Sequence, residues 1–231
     1  MWKFFTSILI ILAPIVLVAQ EEEPVVVDSL SIPYKYEIRA GVDMASLIRT
    51  VVDDEYTGVQ LLGDYRIHRD WYIAAELGTE TLERSLERID FETRGSFIKG
   101  GVDYNFYTNW LDMDNMLYAG ARLAYANMSQ RLRSFTVNND NTFFTPLTIV
   151  RDEEQSGLSA LWVELHLGVK VEVLNNLYLT GNVQLKRLIT EDEPNGFANL
   201  FIPGFGRTFD SSEVGVGYSY GIVYRIPFYK K

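Results

Sequence analysis

The sequence contains no cysteine in its 231 residues and only two histidines, His68 and His166. The chain therefore forms neither disulfides nor thiolate metal sites, and two distant histidines make no recognisable metal-ligand set. Acidic residues outnumber basic ones, 31 to 21, and the net charge of −10 argues against nucleic acid as a partner. The sequence also lacks a glycine-rich loop that would cradle a phosphate, so we expect no cofactor.

Long apolar runs are missing beyond residue 20, which predicts that no helix spans a membrane. The start of the chain differs: Lys3 precedes an apolar stretch over residues 8–18, and the small residue Ala19 follows it. This pattern predicts a secretory signal peptide over residues 1–20. The acidic, aperiodic segment 21–35 is interpreted as a periplasmic tether, and residues 36–229 as one further domain.

The clearest signal is strict alternation over residues 161–173. Odd positions there are all Leu or Val, whereas even positions include Glu164, His166 and Lys170. A period of two indicates a β-strand with one apolar face. Thirteen residues extend about 43 Å, enough to cross a membrane core of about 30 Å when tilted. After a tight turn at Asn175 and Asn176 the pattern resumes, which indicates a hairpin of membrane-spanning strands.

The same alternation predicts eight strands: 36–44, 57–67, 71–80, 93–106, 116–128, 161–173, 177–185 and 212–228. The connections 45–56, 81–90, 129–157 and 190–211 are long and the others shorter. We therefore predict an all-β, eight-stranded antiparallel up-and-down transmembrane β-barrel in the outer membrane of a Gram-negative bacterium, with both termini periplasmic. Aromatic residues near the short connections, including Tyr72, Tyr118 and Tyr178, are expected to form a girdle at the membrane surface.

Charged residues of both signs fall in the inward rows. A narrow eight-stranded lumen has room for little besides side chains, and an unpaired charge there is costly. We expect Glu76 to meet Lys99 and Arg122 at mid-depth, and Arg225 to meet Glu37 near the periplasmic end. The simpler interpretation is a structural plug of ion pairs, and the alternative is an ion-conducting gate built from the same residues. The predicted network contains Glu37, Arg39, Asp64, Arg66, Glu76, Lys99, Asp103, Arg122, Glu164, His166, Lys170, Lys186 and Arg225.

Catalysis is not expected. His166 points inward beside Glu164, but a general base also needs a nucleophile and access for a substrate, and the sequence indicates neither. We therefore assign no catalytic, cofactor-binding or metal-binding residue. A lipid-modifying envelope enzyme stays open as an alternative.

The leading hypothesis is a non-enzymatic barrel that acts in envelope structure or partner docking through its extracellular loops. Its partners would be outer-membrane lipid, lipopolysaccharide and an envelope protein, besides the barrel assembly machinery during biogenesis. Two alternatives are a narrow ion or solute channel and a soluble barrel of lipocalin type, which would place its apolar rows inside. The loops 129–157 and 190–211 carry apolar anchors that would contact a partner or pack on the rim, namely Phe143, Phe144, Phe197, Phe201 and Phe205.

Several motifs resemble a known family. The runs YTG at 56–58, GDYRI at 63–67 and AELG at 75–78, with a Tyr- and Gly-rich last strand, look like those of small outer-membrane barrels in Bacteroidota. That family is uncharacterised in function and is similar in architecture to OmpX and the OmpA transmembrane domain. The resemblance covers the chain after the signal peptide and implies the fold and an outer-membrane location, but no catalytic residues. One departure is that Lys230 and Lys231 follow the terminal aromatic pair.

Overall fold

The computed structural model describes residues 37–107, 114–137, 147–194, 196–208 and 212–227. The predicted signal peptide and tether lie outside these residues. Within them the chain is almost entirely β-structure, with one short helix. The described part of the chain contains no helix that is long and apolar enough to cross a membrane.

Ten strands and one helix make up the described elements. The strands are β1 (Glu37–Asp43), β2 (Tyr56–Arg66), β3 (Trp71–Ser85), β4 (Ile89–Asn105), β5 (Met116–Thr136), β6 (Thr148–Leu174), β7 (Leu177–Glu191), β8 (Phe201–Ile202), β9 (Gly206–Arg207) and β10 (Val214–Pro227), and the helix is α1 (Met44–Val52).

Eight of the strands close into a ring in the order β1-β10-β7-β6-β5-β4-β3-β2, with every pair antiparallel. The predicted eight-stranded up-and-down barrel is therefore confirmed. Following directly opposed residues once round the ring leads from Val216 to Ile226 on β10, a displacement of ten residues. With eight strands this stagger tilts each strand roughly 40° from the barrel axis.

Residues that alternate in the sequence face the lumen and the outer surface of the barrel in turn. On β6, Glu164 and His166 are buried in the lumen, whereas Leu165 and Leu167 are exposed on the outer surface. An apolar belt therefore surrounds an interior that carries buried charges such as Arg39, Lys99 and Arg122. Towards the loop end the interior also holds an apolar cluster that includes Phe97, Trp162 and Phe205. The buried charges and the exposed apolar belt distinguish this barrel from a soluble one, whose apolar residues face inward.

The two ends of the barrel differ in their connections. At one end, here called the turn end, β6 and β7 are joined by Asn175 and Asn176, and Asn176 adopts a left-handed φ of 65°. Residues 67–70 make a similarly short connection between β2 and β3. The opposite end, called the loop end, carries α1, the short β3–β4 connection, the described ends of β5 and β6 at Thr136 and Thr148, and the segment 196–208.

The strands reach further at the loop end than predicted. The expected loop 81–90 is mostly strand, since β3 continues to Ser85 and β4 begins at Ile89, and β5 and β6 extend to Thr136 and from Thr148. Charged side chains pair across these extensions: Arg131 lies 2.7 Å from Asp152, and Arg133 lies 2.8 Å from Glu92. Polar composition suggested loops, but cross-strand pairing of opposite charges makes a polar strand stable.

The predicted polar loop 45–56 is wrong, because the helix α1 occupies most of it. Asp43 caps this helix: its Oδ2 accepts from the backbone N–H of Ser46 at 3.0 Å. An Asp at the N-cap satisfies one of the free donors in the first turn, so the chain turns from strand to helix at that residue.

Strand β1 ends early, which leaves an interval without strand pairing in the barrel wall. Its last residue, Asp43, pairs with Gly221, while its last pair with β2 joins Val42 to Leu61. Among the described residues, no strand pairs with this side of β10 at 214–220 or with the facing side of β2 at 56–60. We call this interval the slot; α1 lies in it and contacts both β2 and β10.

Candidate functional site

The lumen holds a chain of ion pairs that begins near the turn end. Arg39 is fully buried, and its Nε donates to Asp64 Oδ1 at 2.6 Å. Asp64 also accepts from Lys170 Nζ at 2.6 Å, so one carboxylate joins β1, β2 and β6 across the lumen. The guanidinium of Arg39 lies over the rings of Tyr72 and Tyr178, with centroid distances of 4.6 and 5.6 Å.

Three tyrosines thus have a different position from the one predicted. Tyr72, Tyr118 and Tyr178 are buried inside the barrel and do not form part of an outer girdle. Lys170 Nζ lies over the ring of Tyr118, 4.9 Å from its centroid. The alternation of the sequence already placed these residues on the lumen side of their strands. Cation–π contacts with buried cations explain why aromatic rings are favourable inside the barrel.

Arg225 lies among three carboxylates at the turn end of the lumen. Its guanidinium lies 3.5 Å from Glu37, 2.6 Å from Asp114 and 3.3 Å from Glu172. These carboxylates come from three different parts of the chain, so one arginine links β1, the start of β5 and β6. The contact between Arg225 and Glu37 is the one that the sequence indicated.

A second group of charges lies at mid-depth. Arg122 is 2.7 Å from Asp103 and 3.6 Å from Glu76, and Lys99 is 3.7 Å from Glu76. Gln60 donates to the same glutamate at 2.8 Å. Sheet register explains part of this grouping, because Glu76 and Lys99 are directly opposed on β3 and β4.

Glu164 connects this group to the loop end. Its carboxylate lies 3.1 Å from Lys99, 2.7 Å from His166 Nε2 and 3.7 Å from Lys186, and it accepts from the indole of Trp162 at 2.7 Å. All five side chains are buried. His166 therefore serves as a partner of a buried carboxylate, and its Nδ1 has no hydrogen-bond partner among the described residues.

The segment 196–208 folds into the loop end of the lumen. Its short hairpin pairs Ile202 of β8 with Gly206 of β9. Lys186 Nζ donates to the carbonyls of Gly204 and Phe205 at 2.7 and 3.1 Å, and Glu80 accepts from the Gly204 N–H at 2.9 Å. Gly204 has a φ of 79°, a conformation that favours glycine. We call this segment the inward loop.

Two of the three phenylalanines of the inward loop are buried and are not available to a partner. Phe205 is buried with its ring edge on Trp162, 5.8 Å between centroids, and Phe201 is buried beside Tyr56 and Phe91. Phe197 is partly buried against the same cluster. Phe201 and Phe205 thus pack on the barrel rim, which is one of the two uses that the sequence left open for them. Phe143 and Phe144 lie outside the described residues.

Arg66 is a predicted member of the charge network, but its hydrogen bonds go to a backbone carbonyl. Arg66 donates to the backbone carbonyl of Arg69 at 2.8 Å at the turn end, and its guanidinium lies 5.4 Å from the ring centroid of Tyr72. It helps to fix the short connection between β2 and β3. Among the described residues, no group of three or more His, Asp or Glu side chains is placed to hold a metal ion.

A cavity of about 1140 Å³ lies beside α1 near the loop end. Its lining combines α1 and the inward loop with residues of β10, and it also includes outward-facing residues of β6 and β7 such as Leu165 and Val183. Gln184 and Lys186 are among the polar residues of this lining. Sequence reasoning missed this cavity, because it depends on α1 and the slot.

The comparisons with known proteins give a family and several similar folds. The whole chain, residues 1–231, matches the family described as a domain of unknown function, DUF6048. No curated protein matches the sequence.

Solved structures that are similar to this chain include three outer-membrane or surface proteins. Neisserial surface protein A (NspA) is 14% identical with a TM-score of 0.42, over 84% of this chain and 95% of that chain. Ail, the attachment invasion locus protein of Yersinia pestis, is 11% identical with a TM-score of 0.40, over 83% and 98%. A major outer membrane protein from Thermus thermophilus is 15% identical with a TM-score of 0.44, over 83% and 99%.

Proposed function

We propose that this chain, which belongs to the DUF6048 family, is an outer-membrane β-barrel with a sealed lumen that docks an envelope partner through its β5–β6 hairpin. The membrane location is supported by the belt of exposed Leu, Ile, Val and Tyr side chains on the outer surface. A contiguous apolar surface of that extent is unfavourable in water and favourable in lipid. The charged interior argues against a lipocalin-type barrel.

The observation that carries the proposal is the series of buried ion pairs that cross the lumen at successive depths. Ion pairs link Arg225, Arg39, Arg122 and Glu164 in successive layers from the turn end, and the inward loop covers the other end. A conducting pore needs a continuous wet path, whereas these buried side chains bind one another across the lumen. We therefore favour the plug over the ion-conducting gate.

An enzymatic role is supported less well. His166 is bound to Glu164, but the residues described around it include no serine, threonine or other hydroxyl placed at hydrogen-bond distance from its free nitrogen. A general base without a nucleophile or an activated water has no group to deprotonate. The lipid-modifying alternative therefore rests on no geometry of the described residues.

The β5–β6 hairpin is the surface that fits a docking role. Residues 147–154 are exposed throughout, and Leu147 and Val150 are 65% and 78% exposed although both are apolar. The ion pair of Arg131 with Asp152 joins the two strands of this hairpin, and the ion pair of Arg94 with Glu154 joins β6 to β4. A paired strand with exposed apolar residues presents binding surface at little conformational cost.

Chemical cross-linking in intact cells, followed by mass spectrometry, tests the docking role. We expect the wild-type hairpin to cross-link reproducibly to one envelope protein and Val150→Asp to lose that product. Val51→Asp is the matched control, because Val51 is an equally exposed apolar residue on α1 at the same end. Equal loss with both variants, or no protein product with wild type, would contradict docking through the hairpin.

A further inference from the structure

Strand β6 extends beyond its neighbour β7 at the loop end. Strand pairing between them ends at Ala160 and Glu191. On its other side, β6 stays paired with β5 as far as its first residue, Thr148. Among the described residues, no strand pairs with the β7 side of residues 148–157. We call this side the free edge.

Backbone groups of the free edge are placed to bind a further strand. The Val137 N–H donates to the Leu147 carbonyl at 3.0 Å, so the backbone of Leu147 faces β5. Neighbouring residues of a strand direct their backbone groups to opposite sides, and those of Thr148 and Val150 therefore point away from β5. Both residues are exposed. Their N–H and C=O groups offer a template for one more strand.

The sequence of the free edge also favours strand addition. Residues 147–151 read LTIVR, in which three consecutive residues are β-branched. Natural edge strands are commonly protected by lysine or proline, and residues 147–157 contain neither. Asp152 has a positive φ of 43°, which interrupts the strand, so the regular template is the short stretch 148–151. The occupant that fits such an edge is a short extended peptide.

Charges beside the free edge favour a basic peptide. The acids of β6 in this segment already have arginine partners. At the base of the edge, Glu191, Asp192 and Glu193 follow one another where β7 ends. The described hydrogen bonds of Glu191 and Asp192 come from Asn199 and Ser159, and these neutral partners do not cancel the negative charge. A lysine or arginine in an added strand would be attracted to this end.

We propose that the free edge of β6 is a strand-addition site for a short, extended, basic segment of the docked partner. This inference deepens the proposed function and rests on it, since the β5–β6 hairpin is the docking surface there. Main-chain hydrogen bonds to Thr148 and Val150 hold the added strand. The acids at residues 191–193 select a segment whose basic residue lies at the end nearest to β7.

Binding of two synthetic peptides to the full-length barrel in detergent micelles tests the site. The first probe is a fluorescent, end-blocked octapeptide in which lysine alternates with threonine. The second has the same sequence and charge, but each backbone nitrogen carries a methyl group, so it cannot donate main-chain hydrogen bonds. Fluorescence anisotropy compares their affinities. We expect the unmodified peptide to bind at least about tenfold more tightly.

Two substitutions at Val150 separate main-chain binding from side-chain contact. Val150→Pro keeps an apolar side chain but removes the N–H that faces the free edge, and it removes no hydrogen bond between β5 and β6. Val150→Thr keeps the N–H and the β-branched shape but makes the side chain polar. We expect Val150→Pro to weaken binding of the unmodified peptide about tenfold and Val150→Thr to leave it nearly unchanged.

Equal binding of the two peptides, no binding of the unmodified one, or weaker binding with Val150→Thr but not with Val150→Pro would overturn strand addition. The peptide comparison uses the wild type, so it stays decisive if Val150→Pro does not fold. Cross-linking in intact cells tests the docking role separately. A Val150→Pro barrel that keeps the wild-type cross-link would contradict strand addition alone. A wild-type barrel that binds the peptide but cross-links to no protein would contradict the docking role.

Discussion

The Ser219 hydroxyl donates a hydrogen bond to Asp43 Oδ1 over 2.8 Å, at the level where β1 ends and the slot begins. The other carboxylate oxygen of Asp43 caps α1 through the Ser46 N–H. One side chain therefore both ends a strand by starting a helix and ties that corner to β10. The conformation of α1 is expected to depend on it.

We expect Asp43→Ala to loosen α1 without unfolding the barrel. Loss of an N-cap costs about 0.5–2 kcal/mol of helix stability, whereas the eight-stranded ring retains its other contacts. Hydrogen exchange measured by mass spectrometry should show faster exchange in residues 44–52. Ser219→Ala removes only the second bond and should leave helix exchange nearly unchanged. An equal effect of the two variants would contradict capping by Asp43.

Arg122→Met should destabilise the barrel strongly. It removes the 2.7 Å partner of Asp103 and leaves a buried carboxylate with less compensation, a change that costs about 3–5 kcal/mol. The measurement is the temperature at which the folded band converts to the unfolded band on SDS gels. The double variant Arg122→Met with Asp103→Leu should recover much of the loss, because the carboxylate at position 103 is removed and Glu76 keeps Lys99 as its partner. Equal melting of single and double variants would contradict the buried pair.

The neighbouring glycines of β4 should respond in opposite ways. A Cβ at Gly101 would lie 1.9 Å from the Ala121 carbonyl oxygen, whereas a Cβ at Gly100 meets nothing within 4 Å. We expect Gly101→Ala to cost about 1–3 kcal/mol through displacement of the β4–β5 wall, and Gly100→Ala to be close to neutral. Refolding yield in detergent compares them. A larger loss for Gly100→Ala would show that this register is wrong.

The pKa of Asp192, at the loop end, should lie below the ordinary value of an aspartate. Hydrogen bonds from the Ser159 hydroxyl and backbone N–H to Oδ2, at 2.6 and 3.0 Å, stabilise the carboxylate and lower the pKa of Asp192. A lowered pKa in the folded state means that this contribution is present above pH about 4 and is lost as the pH falls through the folded value.

Carboxyl carbon shifts measured by NMR against pH follow this titration directly. Ser159→Ala should raise the midpoint of Asp192 towards the ordinary value, while Ser159→Thr should keep it low because the hydroxyl is retained. A midpoint that does not move with Ser159→Ala would contradict the hydroxyl as a cause.

Alternation was enough to predict the barrel, because inward and outward residues differ so sharply along β6 and β10. It failed at α1, where the capping signal of Asp43 and Ser46 is local and competes with a strand pattern that continues to Met44. It also failed at the ends of β5 and β6. There, opposite charges such as Arg131 and Asp152 are satisfied only once the two strands have paired, which one strand's composition does not reveal.

The sequence predicted well which residues face the lumen, but it predicted less well which of them pair with one another. The inward rows identified Glu76, Lys99 and Arg122, and directly opposed positions brought the first two together. Contacts across the lumen, such as Lys170 with Asp64, depend on barrel diameter and stagger and follow from no local pattern. The inward loop was missed because a Phe-rich segment in a long connection is equally compatible with a partner surface and with burial on the rim.

Single-channel recording in planar bilayers tests the sealed lumen most directly. The wild-type barrel, once inserted, should give no steady unit conductance, whereas replacement of Glu76, Lys99 and Arg122 together by alanine should produce unit steps by opening the mid-depth layer. Insertion is verified separately by protection of the strands from added protease. Steady, ion-selective unit steps from the wild type, with selectivity reversed by Lys99→Glu, would contradict the sealed lumen and make this barrel a channel.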